Sequence, residues 1–248
     1  MEKTNIAIMV AIISSITAIL TTLISFKIKN YHDENEINKK VILESLDPLI
    51  IITDDLRNKL LNLIDRDKKK DTLLKDTLKQ LSDNFNGSSS SKYYELWKDE
   101  FDFIKWTNQL GHYSMSLLYI TALYFSRAYY IRTKLPFLKL KSSTDKELID
   151  KINDVRISMG GEFGIWDEIQ DSAGIFIKKE SENEFMNYWE FCNEIYVNKK
   201  YYYFYKVIDF YEDFDHKTEI EKENMTESLS RLNLYLNEIR IHKKLSLE

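Results

Sequence analysis

The chain has 248 residues, a net charge of −5, one cysteine, six glycines and two prolines. One cysteine excludes a disulfide framework within the chain. The mild negative charge argues against a dedicated nucleic-acid binder. The scarcity of turn residues argues against a β sandwich or an α/β sheet. What remains is an all-α chain of long runs with few breakers.

The N-terminal stretch Ile6 to Phe26 carries no charged residue. As a helix it would be about 31 Å long, close to the hydrocarbon thickness of a bilayer. It is longer than the apolar core of a cleaved leader, and no small-x-small site follows it. It therefore reads as one membrane-spanning helix. Lys27, Lys29, Lys39 and Lys40 follow it and only Lys3 precedes it, so the positive-inside rule places the rest of the chain on the cytoplasmic side. Ala7, Ala11, Ser14, Ala18, Thr21 and Ser25 form a small-residue stripe along it. Such a stripe lets two membrane helices approach closely, which suggests self-association.

Residues 31–46 are densely charged and read as a helix leaving the membrane surface. Asp47-Pro48 reads as an N-cap followed by proline at the first helical position. The helix it opens would run to about Asp65, with Leu49, Leu56, Leu60 and Leu63 on heptad-like positions. A charged turn, Arg66 to Asp71, separates it from a helix over Thr72 to Phe85 that carries Leu74, Leu78, Leu81 and Phe85 on one face. The pair suggests an αα-hairpin, with too few heptads for a sustained coiled coil.

Asn86-Gly87 and Ser88 to Ser91 form a flexible linker. An aromatic helical stretch then runs from Lys92 to about Leu135. Its section Tyr113 to Ser126 is apolar, but it is short and carries Ser and Thr, so it reads as a buried core helix rather than a second span. Pro136 ends it. Thr144 and Glu147 form a capping box for a helix over Asp145 to Ser158. Gly160-Gly161 break that helix, and Glu162 to Lys179 follows. Ser181 and Glu184 form another capping box, opening a helix with Phe185, Trp189, Cys192 and Tyr196 on one face. An aromatic helix over Tyr201 to Phe214 comes next. The last helix runs from Thr218 to Lys244, with Met225, Leu229, Leu232, Leu236 and Ile239 inward.

Chemistry is thinly supplied. No phosphate loop or nucleophile elbow is present. His32 reads as a solvated residue, His112 as a histidine in or near the core, and Cys192 as an inert core thiol. Glu212 and His216 stand four apart, as do Glu238 and His242. If each pair shared a helix face, the two could offer a weak divalent-metal site, although their spacing is not that of di-iron bundles. Arg132, Lys134, Lys139 and Lys141 alternate with apolar residues and read as a solvated loop that could touch anionic lipid or nucleic acid. Tyr201, Tyr202, Tyr203 and Tyr205 would point to every side of a helix, so some rings must be exposed or meet a partner.

These readings predict an all-α protein: an anchor over 1–30, a juxtamembrane helical hairpin over 31–86, a linker over 87–92, and an irregular helical bundle over 93–248. The expected role is that of a single-pass cell-membrane protein whose helical region binds a protein partner or itself. No cofactor and no nucleic acid are expected. The alternatives are a membrane-perturbing effector that oligomerises through its anchor and, further off, a helical metal-dependent hydrolase.

Overall fold

The computed structural model describes residues 14, 17, 19–30, 32–33, 36, 39–40, 42–69, 76–79, 111–134, 142–161, 164–179, 184–196 and 203–245. Among them the fold is all-α, and the one β feature is an isolated antiparallel bridge between Lys178 and Phe185. The helices are α1 (Asp47–Lys68), α2 (His112–Lys134), α3 (Ser142–Met159), α4 (Asp167–Phe176), α5 (Tyr188–Tyr196), α6 (Tyr205–Glu212) and α7 (Glu219–Leu245). A π-helical turn, Ile42–Leu46, leads into α1, and a 3-10 turn, Phe214–His216, follows α6.

The start of α1 departs from the sequence expectation. Asp47 is not an N-cap, because residue 46 before it is itself in the right-handed helical region and the chain is already helical from Ile42. Pro48 explains the π turn. A proline has no N–H to give to the carbonyl four residues back, and its ring collides with that carbonyl. The carbonyl in question belongs to Glu44. The helix widens there by one residue, and the Glu44 carbonyl accepts a hydrogen bond from Arg127 Nη1 of α2 at 3.3 Å. Asp47 forms an ion pair with Arg240 at 3.1 Å instead.

α1 buries Leu49, Leu56, Leu60 and Leu63, as its spacing predicts. Read from the sequence as half of a juxtamembrane hairpin, it lies between α2 and α7 and shares one apolar core with the region after the linker. The partner half of the hairpin and the linker itself fall largely outside the described residues, although 76–79 is helical and Leu78 is fully buried.

α7 runs antiparallel to α1, and polar links join them along their length. Asp67 meets Lys222, Arg57 Nε donates to Ser230 Oγ at 2.6 Å, Asn233 Nδ2 donates to the Ile50 carbonyl at 3.1 Å, and Asp47 meets Arg240. Met225, Leu229, Leu232, Leu236 and Ile239 of α7 are all buried, as expected. The helix opens on a capping box: Glu221 N–H donates to Thr218 Oγ1 at 3.2 Å, and Thr218 N–H donates to Glu221 Oε2 at 2.7 Å.

α2 is the core helix that its sequence suggests. Met115, Leu117, Leu118, Ala122, Tyr124 and Phe125 are buried. Its hydroxyls find partners on neighbouring helices: Ser114 with Thr77 at 2.6 Å, Ser116 with Lys59 at 2.8 Å, and Thr121 with Tyr211 at 2.8 Å. α4 crosses α2 closely at Gly174, where an added Cβ would lie 2.7 Å from Ser126 N and 2.8 Å from Phe125 C. Between α3 and α4 the chain turns through Gly161, whose φ of +98° suits glycine.

Two other predicted helix starts are displaced. α3 begins at Ser142, so Thr144 lies inside it, and its carbonyl accepts from Tyr235 Oη at 3.3 Å. Ser181 lies outside the described residues; Glu184 is not helical, and α5 opens on a box at Asn187 and Glu190. Phe185 lies in the bridge with Lys178, where Lys179 N–H donates to the Glu184 carbonyl and Met186 N–H to the Ile177 carbonyl, each at 2.9 Å. The pairing holds 184–186 extended and delays the helix to Tyr188.

Among the described residues, no helix is long and apolar enough to cross a membrane. Much of Ile6 to Phe26 lies outside them, including Ala7, Ala11 and Ala18. Residues 19–30 are helical, and every described residue from 14 to 40 is exposed, Ser14, Thr21 and Ser25 among them.

Candidate functional site

The aromatic richness of the C-terminal half gathers on α5 and the start of α6. Asn187 Oδ1 accepts from Glu190 N–H at 3.0 Å and Glu190 Oε2 accepts from Asn187 N–H at 2.7 Å, which fixes the first turn of α5. Lys179 Nζ reaches the same carboxylate at 2.8 Å. That ion pair, followed by the Asn187 N–H, holds the Glu190 carboxyl below the usual glutamate range. The helix then buries Phe191, Cys192 and Ile195 and leaves Trp189 47% exposed. Trp189 and Cys192 therefore do not share a face, contrary to the helical register read from Phe185.

Ring contacts, four edge-to-face and two tilted, run across this region. His112 meets Tyr188 at 5.8 Å, Tyr188 meets Tyr119 at 5.6 Å, and Tyr119 meets Phe191 at 5.5 Å. Phe191 packs on Phe204 at 5.3 Å, Phe204 on Phe176 at 5.2 Å, and Phe176 on Tyr203 at 5.3 Å. The chain of rings reaches the surface at both ends. His112 and Trp189 are exposed at one end; Tyr203 and Ile175 are exposed at the other, beside the half-exposed Tyr205. His112 is thus a surface histidine, not a core one. Tyr201 and Tyr202 lie outside the described residues.

The buried groups here are inert at neutral pH. Burial pushes the Cys192 thiol up to about 12. Burial also raises the Tyr188 and Tyr119 hydroxyls, and Tyr119 Oη donates to the Met186 carbonyl at 2.9 Å. A thiol held protonated is no nucleophile. The side chains exposed there present ring faces and phenol edges.

The weak metal reading does not assemble. α6 stops at Glu212, and His216 sits beyond Asp213 in the 3-10 turn, so the two do not share a helix face. His216 is exposed and lies 3.8 Å from Asp215. Glu238 and His242 are both exposed on α7. Among the described residues, no group of three or more His, Cys, Asp or Glu could hold a metal ion.

Two polar clusters were not apparent in the sequence. Arg156 is buried and reaches Asp167 and Asp171, each at 3.3 Å, while Arg132 meets Asp171 at 3.2 Å. Arg132, read as part of a basic loop, is therefore paired and half-buried. Lys59 Nζ donates to Ser116 Oγ at 2.8 Å and lies over the Tyr113 ring at 4.7 Å, with its ammonium held below the ordinary lysine range by burial. Both clusters satisfy buried charge at helix crossings. Their partners lie 11 to 57 residues apart, so no local spacing reveals them.

The chain matches no protein-family model, no characterised protein and no solved structure. What its described residues define is an all-α fold that leaves Trp189, Tyr203 and Tyr205 exposed.

Proposed function

We propose that this protein is a membrane-anchored helical interaction module, held at the cytoplasmic face of the cell membrane by its N-terminal apolar helix and binding a protein partner through the aromatic face of α5 and α6. One observation carries the reading. Ile19, Leu20, Leu23, Ile24 and Phe26 are helical and 53–62% exposed, while the bundle behind them has a closed core. Apolar side chains left open around a helix are unfavourable in water and favourable in lipid. The small-residue stripe adds a route to self-association. The exposed rings of Trp189, Tyr203 and Tyr205 are of the residue types enriched at protein interfaces.

The test has two arms. The full chain should stay with membranes through an alkaline carbonate wash, and the Leu20→Lys, Ile24→Lys double variant should wash off. A photo-crosslinking side chain at position 203 or 205 should give a defined protein adduct in those membranes, and one at Glu223 or Asn224 on the outer side of α7 should not. Release of the unmodified chain by carbonate sinks the anchor. Equal crosslinking at all four positions sinks the aromatic face.

A further inference from the structure

We infer that Ile42–Leu46 is a pinned joint that sets the rotational register of the N-terminal helical segment relative to the bundle. The observations come from four parts of the chain. Pro48 cannot donate to the Glu44 carbonyl and displaces it, and the turn before it is π-helical. The freed carbonyl is taken by Arg127 Nη1 of α2 at 3.3 Å. The Arg127 guanidinium is itself held over the Phe185 ring at 4.0 Å, so the bridge between 178 and 185 backs the contact. Ser45 and Leu46 are buried, and Asp47 is tied to Arg240 of α7. Upstream, every described residue from 14 to 40 is exposed and helical. The body therefore grips the incoming helix at one turn and nowhere else among the described residues.

A π turn inserts one residue into the helical repeat. Each residue turns an α-helix by about 100°, since 3.6 residues make one turn. The joint therefore fixes which side of the N-terminal segment faces which side of the bundle. A rotation or pairing imposed on that segment would reach α2 and α7 through the Glu44–Arg127 and Asp47–Arg240 contacts. Relief of the proline is the perturbation that tests this, because alanine at position 48 restores the missing N–H and allows an ordinary α turn.

The experiment uses the full chain in detergent micelles, with Cys192→Ala to remove the buried native thiol and spin labels on Lys39→Cys and Ile241→Cys. Both positions are exposed. Pulsed dipolar spectroscopy then compares the chain with and without Pro48→Ala. Side-chain tips lie about 5–6 Å from a helix axis, so a turn of about 100° moves a label by about 8 Å. A shift of the 39–241 distance by up to that size, outside the width of the parent distribution, is the expected result. Arg127→Ala, which keeps the proline but removes the pin, should broaden the same distance distribution. Superimposable distributions for the parent and both variants would overturn the joint. No bilayer is needed, so the outcome is separate from whether the apolar helix anchors the chain.

Discussion

Two apolar helical stretches of this chain are treated oppositely by the protein. Residues 19–26 are exposed on every described side, whereas the section of α2 from Tyr113 to Ser126 lies under α1, α4 and α5. Their polar residues mark the difference. Thr21 Oγ1 turns back on its own helix and donates to the Thr17 carbonyl at 2.8 Å. Thr121 does the same to Leu117 but also meets Tyr211 of α6, while Ser114 and Ser116 reach residues of other segments. A hydroxyl that satisfies itself needs no neighbour and suits lipid. Hydroxyls that pair across helices fix a particular neighbour, which is what a protein core requires. The partners of the small polar residues tell the two cases apart.

Charge should break this contrast most sharply. Leu20→Lys with Ile24→Lys places two lysines in the apolar segment, each costing about 3 kcal/mol near the centre of a spanning helix. Membrane association should fall below detection in a flotation assay, while thermal unfolding of the bundle stays unchanged. Inside the bundle the same logic runs through packing. Phe191 touches Tyr119, Phe176 and Phe204, and Phe191→Ala should cost about 3–5 kcal/mol in denaturant melts. Gly174→Val pushes side-chain atoms against the α2 backbone and should cost about 1–3 kcal/mol. Thr121→Val strands the buried Tyr211 hydroxyl and should cost about 1–2 kcal/mol, whereas Thr21→Val should leave bundle stability and membrane association alone. The smallest effect concerns pH. The Glu190 carboxyl is held below its ordinary value of 4.5. Its contribution is full above about pH 4.5 and fades as pH falls through the lower folded value. The melting temperatures of the parent and Glu190→Gln should therefore converge in acid.

The apolar spacing of α1, α2 and α7 was legible in the sequence, because heptad-like Leu, Ile and Met positions face the core whatever packs there. Helix ends were less so. Asp47-Pro48 has the composition of a helix start, yet a proline is also tolerated where a neighbour takes the displaced carbonyl, and Arg127 lies far along the chain. The helix read from Phe185 starts later, at Tyr188, because a bridge between Lys178 and Phe185 claims the backbone before it. Tyr203 and Tyr205 are exposed, but Tyr203 lies before the first residue of α6, so the two do not sit on one helix as the spacing suggested. The ring chain from His112 to Phe176 was not legible in the sequence, since it joins α2, α4 and α5 across distant segments.

The ties between α1 and α7 also have a meaning in time. Ile50 and Asn233, or Asp67 and Lys222, stand 155 to 183 residues apart. During synthesis α1 leaves the ribosome well before its partner helix, which follows more than 150 residues later. Until then Leu49, Leu56 and Leu60 lack the surface that covers them on the α7 side. The nascent chain therefore carries unburied leucines until α7 has emerged. Contacts of this separation close slowly. A chain cut before Glu219 would never close them, and its first helix would become a target for chaperones and proteases rather than a wall of the core.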